Sequence, residues 1–281
     1  MDINDIIEVA NSSLQKNSKF IKQNIGFSKA IILKEFDSPD LREFMLNLDS
    51  YMARKSDQIL KDSRTTKATL DTFNDKPIFI KRYNNKGIVF TIRHCFRHSR
   101  AFRAWKSAWV LKAIGIPTPT NLSVISFRKF IFLTQAYLIT EAIPNLVDVA
   151  DILKKINIEG VKESLVEKTT EILAKIHNHN FIHGDLKLSN FYITKNDEEE
   201  IWGLWDLDGS CFKGDKELTE GEIIKEVARL VSSYFLWLNK LDIEFNREDD
   251  MKMFVDHYNK LSEKKVALKQ IGFAVEKRYK V

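Results

Sequence analysis

The sequence is poor in cysteine and glycine, and it has no long apolar run. Its 281 residues include two cysteines, Cys95 and Cys211. Their spacing fits neither a metal site nor a disulfide framework, so both are predicted to be ordinary thiols of a reducing compartment. No apolar run approaches the length of a membrane span, and the first residues lack the basic start of a secretory signal. We therefore expect the chain to stay in the cytoplasm.

Glycine is absent between Gly26 and Gly87, a stretch in which β-rich sequence begins. This absence excludes a glycine-rich phosphate-binding loop there. The polar turn Ser63–Thr66 is followed by a threonine-rich alternation, which predicts a hairpin. The hairpin would cover the phosphates of a nucleotide with hydroxyls, backbone amides and the side chain of Arg64.

The overall composition is that of a folded, soluble protein. Hydrophobic residues make up 44% of the chain and charged residues 30%, which argues against disorder. The net charge of +5 suits an anionic partner. It does not choose between a nucleotide, an acidic glycolipid, a membrane surface and a nucleic acid.

The stretch Phe181–Ile193 combines an apolar approach, a polar turn and an apolar exit. Asp185, Lys187 and Asn190 have the spacing of a kinase catalytic loop, where an Asp is followed five residues later by an Asn. In such a loop the carboxylate positions and deprotonates the attacking hydroxyl, the lysine neutralises the moving phosphoryl group, and the amide oxygen binds Mg²⁺. The alternative is a β-turn that happens to hold polar residues.

A second motif strengthens the first. The mostly apolar run Ile201–Trp205 ends in Asp206, as a buried strand of kinases ends in a metal-binding Asp. A solvated turn between the motifs predicts a hairpin that brings Asn190 and Asp206 to one Mg²⁺. Asp206 is preferred to Asp208 because it directly ends the apolar run.

Two further features predict a nucleotide-binding lobe. The β-rich run Lys76–Tyr83 carries Lys81 after three apolar residues, like the kinase strand whose lysine holds the phosphates of ATP. A surface lysine at a strand end is the alternative. Farther on, an apolar strand closes at Glu141 on a short polar link, where the backbone of residues 141–143 would hydrogen-bond adenine.

A basic helix is predicted after Ser99, which suits an N-cap, and Gly115 and Pro117 end it. Its apolar residues fall near one face. The opposite face and the entry carry Arg97, Arg100, Arg103 and Lys106. These cations either dock a phosphorylated or acidic acceptor or form an ordinary solvated face.

The second half of the chain is predicted to be helical, and only about ten residues separate Asp208 from the next helical pattern. This leaves no room for the activation segment of protein kinases, so a small molecule or glycolipid is the expected acceptor. The fold is predicted as α+β and two-lobed. Residues 1–141 would form an extension plus a β-rich nucleotide lobe, and residues 142–281 a helical lobe with the catalytic loop.

Together these pieces resemble the lipopolysaccharide core kinases, the Kdo/WaaP (InaA-like) family of the protein-kinase-like superfamily. The match runs over about residues 58–236, and the helix leading into Gly115–Pro119 is its most family-specific part. The resemblance implies that Asp185 is the catalytic base and Lys81 the nucleotide lysine. It implies ATP and Mg²⁺ as cofactors. The acceptor would be a heptose or Kdo hydroxyl of the lipopolysaccharide inner core, reached at the cytoplasmic face of the inner membrane, and no nucleic acid partner is expected.

One departure keeps alternatives open. Ala104 stands where the family carries a helix glutamate that pairs with the strand lysine, and no acidic residue lies between Asp75 and Glu141. Either another carboxylate such as Asp206 holds Lys81, or nucleotide binding is impaired. The alternatives are an aminoglycoside-type phosphotransferase, a minimal atypical protein kinase and a weakly active kinase-like binding module.

Overall fold

A computed structural model gives the fold and describes residues 1–25, 27–54, 59–84, 98–130, 132–196 and 199–278. The chain divides into two compact units. The sheet unit comprises Glu8–Trp109 and Pro119–Ile143, and the helical unit comprises Met1–Ile7, Val110–Thr118 and Pro144–Val281. The lobe boundary between residues 141 and 142 stays a prediction.

One antiparallel sheet forms most of the sheet unit. In the described part of the chain it has seven strands in the order β1-β2-β6-β7-β5-β4-β3. The strands are β1 Phe20–Ile25, β2 Ser28–Leu33, β3 Ile59–Asp62, β4 Thr66–Phe73, β5 Lys76–Asn84, β6 Asn121–Lys129 and β7 Phe132–Glu141. Lys81 pairs with Ala68 on one side and Leu138 on the other, so it lies in the interior of the sheet.

The predicted hairpin at Ser63–Thr66 and the predicted strand at Lys76–Tyr83 are confirmed. β3 and β4 pair on either side of the hairpin turn, and β4 and β5 pair from Thr66 and Tyr83 onward. The hairpin formed by β1 and β2 was not predicted. It extends the sheet beyond β6, where Ile31 is paired with Val124.

Five of the nine α-helices in the described residues follow β7, the last strand of the large sheet, in the chain. They are α1 Ile3–Ser12, α2 Pro39–Leu46, α3 Leu48–Arg54, α4 Arg100–Ala113, α5 Val149–Leu153, α6 Val161–Asn178, α7 Glu220–Lys240, α8 Arg247–Leu261 and α9 Leu268–Arg278. Short strands of the helical unit accompany them: β8 Leu146–Val147, β9 Phe181–Ile182, β10 Phe191–Asn196, β11 Glu199–Leu204 and β12 Cys211–Phe212. In the described ranges, every helix falls short of the length or the hydropathy that a bilayer-spanning segment needs.

Helix α4 begins where the sequence predicts. The hydroxyl of Ser99 accepts the backbone N–H of Phe102 at 3.3 Å, which satisfies one unpaired amide of the first turn. Trp105 and Trp109 are buried and pack edge-on against Phe20 of β1, with ring centroids 5.7 and 5.0 Å from it. The aromatic face of α4 is therefore a packing face within the sheet unit.

Asp49 of α3 fastens the N-terminal region to the sheet. Its carboxylate accepts hydrogen bonds from Arg82 at 3.0 Å and from the side chains of Gln135 and Tyr137. Burial by itself would raise the pKa of Asp49, but these hydrogen bonds and the Arg82 charge hold it below its ordinary value. Burial and the neighbouring carboxylate both raise the pKa of Tyr137. The N-terminal region thus contributes both strands and a polar anchor to the sheet unit.

The helical unit contains the hairpin predicted after the catalytic loop. β10 and β11 pair from Phe191 with Leu204 to Asn196 with Glu199. Residues 197–198 lie outside the described residues. After Asp208 the chain forms only β12, which pairs with β9, before α7 begins at Glu220. The short connection is confirmed. Cys211, within it, is an exposed free thiol, and Cys95 lies outside the described residues.

Candidate active site

The predicted catalytic loop begins where β9 ends, and a backbone contact fixes its entry. Gly184 has a φ of +82°, a region that favours glycine. A Cβ atom at Gly184 would lie 2.3 Å from the carbonyl oxygen of Gly209. The loop and the segment after Asp208 therefore touch through their backbones, which only glycine at position 184 allows.

Glu226 of α7 binds the backbone of the same loop. Its carboxylate accepts the backbone N–H groups of His183 at 3.0 Å and Gly184 at 2.6 Å. The side chain of Glu226 is 2% exposed, and its Oε2 also lies 3.2 Å from Nε2 of His177. Burial alone would raise the pKa of Glu226, but the hydrogen bonds and the nearby imidazoles hold it below its ordinary value. A buried carboxylate thus orients two consecutive amides of the loop.

His183 and Trp205 tie the loop to the second motif. His183 is fully buried, and its Nε2 pairs with the carbonyl oxygen of Trp205 at 2.9 Å. Trp205 in turn donates its indole N–H to the Ser189 carbonyl at 2.8 Å and its backbone N–H to the Asn190 carbonyl at 3.1 Å. These three bonds make one rigid unit of the two motifs.

Asp185 presents its carboxylate to solvent from this rigid loop. The side chain is 52% exposed and lies 3.5 Å from the Lys187 ammonium and 3.7 Å from the Arg229 guanidinium. Arg229, on α7, also donates to the Gly184 carbonyl, and the Asn190 amide donates to the Asp185 carbonyl at 2.7 Å. The carboxylate is accessible while the backbone around it and the Arg229 side chain are held by hydrogen bonds, as a positioned base requires.

In the sheet unit, the structure places the predicted nucleotide residues along β5 and its neighbours. Lys81 is 8% exposed, and its ammonium lies 5.3 Å from the ring centroid of Tyr83. Arg64 is exposed in the hairpin turn. Glu141 ends β7, and its backbone N–H donates to the Thr120 carbonyl at 2.9 Å. An adenine contact at Glu141 would therefore use its carbonyl oxygen, which already accepts the Thr140 hydroxyl at 3.0 Å and has a second lone pair.

The residues of the predicted acceptor patch do not share one environment. Arg100 donates to the Thr65 carbonyl at 2.7 Å, and its guanidinium carbon lies 5.1 Å from the centroid of Tyr83. Arg103 is exposed and Lys106 half-buried on α4. Arg97 lies outside the described residues. The structure thus groups Arg100 with the hairpin turn and β5.

Comparison with known proteins supplies the family. The sequence model of the Lipopolysaccharide kinase (Kdo/WaaP) family matches residues 53–258. The chain belongs to this family. At that level it is a lipopolysaccharide kinase and hence a phosphotransferase, and the predicted family is confirmed.

The fold comparison agrees. The chain is similar to a solved structure described as WaaP in complex with acyl carrier protein, with a TM-score of 0.59 and 15% sequence identity. The match covers 87% of this chain and 98% of that chain. At this identity the similarity shows the fold, and the predicted kinase-like fold class is confirmed. The comparison with curated proteins found no match.

The two residues predicted to bind Mg²⁺, Asn190 and Asp206, carry the oxygen donors that this ion prefers. Because the Asn190 amide nitrogen is bonded to the Asp185 carbonyl, the amide oxygen is the atom of this side chain that could bind a metal ion. Asp206 follows Trp205, which is bonded to Asn190, so both oxygen donors stand at one end of the hairpin. In the described ranges no three His, Cys, Asp or Glu residues cluster as a metal site. Two oxygen donors suit Mg²⁺, which keeps waters and substrate phosphates as its other ligands.

Two charged residues of this lipopolysaccharide kinase were not predicted from the sequence. Glu226 and Arg229 stand three positions apart on α7, and Val227, Ala228 and Leu230 around them are buried. Residues three positions apart share a helix face. Opposite charges at that spacing, set among buried apolar positions, are the signal that would have marked them as partners of a polar loop.

Proposed function

We propose that the chain is an ATP-dependent kinase that phosphorylates a heptose or Kdo hydroxyl of the lipopolysaccharide inner core. The observation that supports this most is the environment of Asp185, whose half-exposed carboxylate lies between Lys187 and Arg229. The backbone on either side of it is held by Glu226 and Asn190. Such an arrangement serves transfer to a hydroxyl that approaches from solvent.

The chemistry assigned to the loop is a single displacement. Asp185 would orient the acceptor hydroxyl and take its proton as the new oxygen–phosphorus bond forms and the bond to the ADP oxygen breaks. Lys187, 3.5 Å from Asp185, would offset the negative charge on the transferred group. Mg²⁺, held by Asn190 and Asp206, would supply charge neutralisation at the phosphates.

The short link between Asp208 and α7 supports a small or lipid-linked acceptor. The segment contains only the two-residue strand β12, Cys211–Phe212, where protein kinases carry a peptide-docking platform. We assign the reaction to the cytoplasmic face of the inner membrane, because an inner-core glycolipid would be presented there and the net charge of +5 favours an anionic surface.

The test supplies radiolabelled ATP to the purified chain with three acceptor classes: dephosphorylated lipopolysaccharide cores, aminoglycosides and proteins. We expect label only in the cores, and only with Mg²⁺ present. Asp185→Asn should reduce labelling by about a hundredfold to ten-thousandfold while ATP binding stays near that of the wild type. Label in aminoglycosides or proteins instead of cores, or wild-type turnover by Asp185→Asn, would overturn the proposal.

A further inference from the structure

The first observation concerns Arg100, the first residue of α4. Its Nη2 donates to the Thr65 carbonyl at 2.7 Å, and its guanidinium carbon lies 5.1 Å from the centroid of Tyr83. Both partners belong to the region predicted to handle phosphates, one in the hairpin turn and one on β5. Arg100 is only partly exposed, so it does not stand on an open helix face.

The second observation is that Lys81 shares the same ring. Its ammonium lies 5.3 Å from the Tyr83 centroid, and Lys81 and Tyr83 point to the same face of β5 because they are two positions apart. Lys81 and Tyr83 are 8% and 4% exposed. Two cations around one aromatic ring raise the local positive potential, and a polyanion is the ligand that such a site attracts most strongly.

The third observation is how the hairpin turn holds its shape without glycine. The Ser63 hydroxyl accepts the Thr66 N–H at 3.1 Å and lies 3.0 Å from the Thr66 carbonyl. The Thr65 carbonyl accepts both the Asn84 N–H, at 3.0 Å, and Arg100. The Ser63 hydroxyl is therefore used to close the turn itself, and a donor beside the turn would add to what the turn can offer a phosphate.

Arg100 can be that donor. A guanidinium has five N–H groups in a planar fork that matches phosphate oxygens, and the bond to Thr65 takes one of them. That bond also fixes the side chain beside the turn, so less conformational entropy is lost when an anion binds.

We propose that Arg100 and Lys81 together form a two-cation site for the phosphate chain of a nucleotide, around the ring of Tyr83. This inference rests on the proposed function, since it takes a nucleoside triphosphate as the ligand. It assigns Arg100 to the nucleotide and removes it from the predicted acceptor patch. The guanidinium takes the place of a glycine-rich loop as the cover of the phosphates.

The test is direct binding of ATP, ADP and adenosine to the full chain by calorimetry, with Arg100→Gln compared with the wild type. A lost charge-assisted contact should weaken ATP and ADP binding by about tenfold to a hundredfold, while adenosine binding stays unchanged. Arg42→Gln is the matched control, because it removes the same charge from an exposed arginine of α2. Arg42 forms an ion pair with Asp37, which precedes that helix. It should bind all three ligands like the wild type.

The outcomes separate the possibilities. If Arg100→Gln weakens adenosine as much as ATP, Arg100 supports the fold of the unit and the inference is wrong. The inference is also wrong if the wild type binds ATP and Arg100→Gln binds it equally well. In that case the proposed function still stands. A wild type that binds no ATP overturns both. Arg100→Lys, which keeps the charge but loses the fork, should give an intermediate loss and guards against misfolding of the Gln variant.

Discussion

The Glu226 carboxylate accepts the backbone N–H of Gly184 at 2.6 Å, from a helix that begins more than thirty residues later in the chain. The same carboxylate takes the neighbouring amide of His183. Glu226, which is 2% exposed, thus holds the two peptide groups that end in the His183 and Gly184 nitrogens, just ahead of Asp185 in the chain. We therefore propose that Glu226 positions Asp185 without contacting the substrates itself.

Replacing Glu226 by Gln should therefore lower kcat by about tenfold to a hundredfold, because a small misplacement of the catalytic group has that cost. A Gln side chain can accept only one of the two amides well and turns its own NH₂ toward the other. KM for ATP should not change. Glu220→Gln, an exposed position on the same helix, is the control. If Glu226→Gln has a lower melting temperature but a normal kcat at assay temperatures well below that melting point, the role of Glu226 is purely structural.

The metal assignment predicts different effects for the two nearby carboxylates. Asp206→Ala should lose Mg²⁺-dependent nucleotide binding, because it removes one of two oxygen ligands. Asp208→Ala should lose less, since Asp208 lies within the short 3-10 helix Leu207–Gly209 rather than at the end of the apolar run. Titration of both variants with ATP at several Mg²⁺ concentrations measures the difference. The reverse ranking would move the ligand to Asp208.

Arg103 and Lys106, the other residues of the predicted patch that lie on α4, test whether the patch binds the acceptor. Replacing Arg103 and Lys106 by Gln should raise KM for an acidic glycolipid acceptor and leave KM for ATP unchanged, which is the opposite of the pattern expected for Arg100→Gln. Each contact would be worth about 1–3 kcal/mol if desolvated but little if solvated. Added salt should weaken acceptor binding more in the wild type than in the double variant. If the KM for the acceptor changes neither with the substitutions nor with added salt, Arg103 and Lys106 belong to an ordinary solvated helix face.

Glu222 predicts a pH-dependent contribution to stability. Hydrogen bonds from Lys213 and from the backbone of Thr219 lower its pKa from 4.5 to about 2. A carboxyl whose folded pKa is depressed stabilises the fold above its unfolded pKa and loses that contribution as pH falls through the folded value. The melting temperature of the wild type should thus exceed that of Glu222→Gln above pH ~4.5, and the gap should close as the pH approaches 2. Glu159→Gln, at an exposed position, should show no such trend.

Local signals in the sequence were enough to predict the start of α4 and the hairpin near Lys81. The N-cap at Ser99 and the hairpin at Ser63–Thr66 follow from residues close together in the chain, and the structure has both. Turn chemistry and capping are short-range effects, so a sequence pattern reports them directly.

Long-range pairings could not be predicted in the same way. The pairing of β2 with β6 joins Ile31 and Val124, and nothing in either segment specifies the other. Glu226 of α7 bonds the amide of His183, which lies 43 positions earlier in the chain, and only the buried apolar residues beside Glu226 indicated a buried role. Such contacts are decided by topology and by the need to satisfy buried amides, which a single sequence does not display.

The strand pair β1 and β2 has a practical consequence for anyone who shortens this chain. The family match begins at residue 53, but a fragment that starts there would lack both strands and would uncover the edge of β6. The indole N–H of Trp105 would also lose the Ser13 carbonyl that it now bonds at 2.8 Å. An uncovered strand edge invites pairing with another copy. The fragment should therefore aggregate during expression, although it spans every residue to which we assign a part in catalysis.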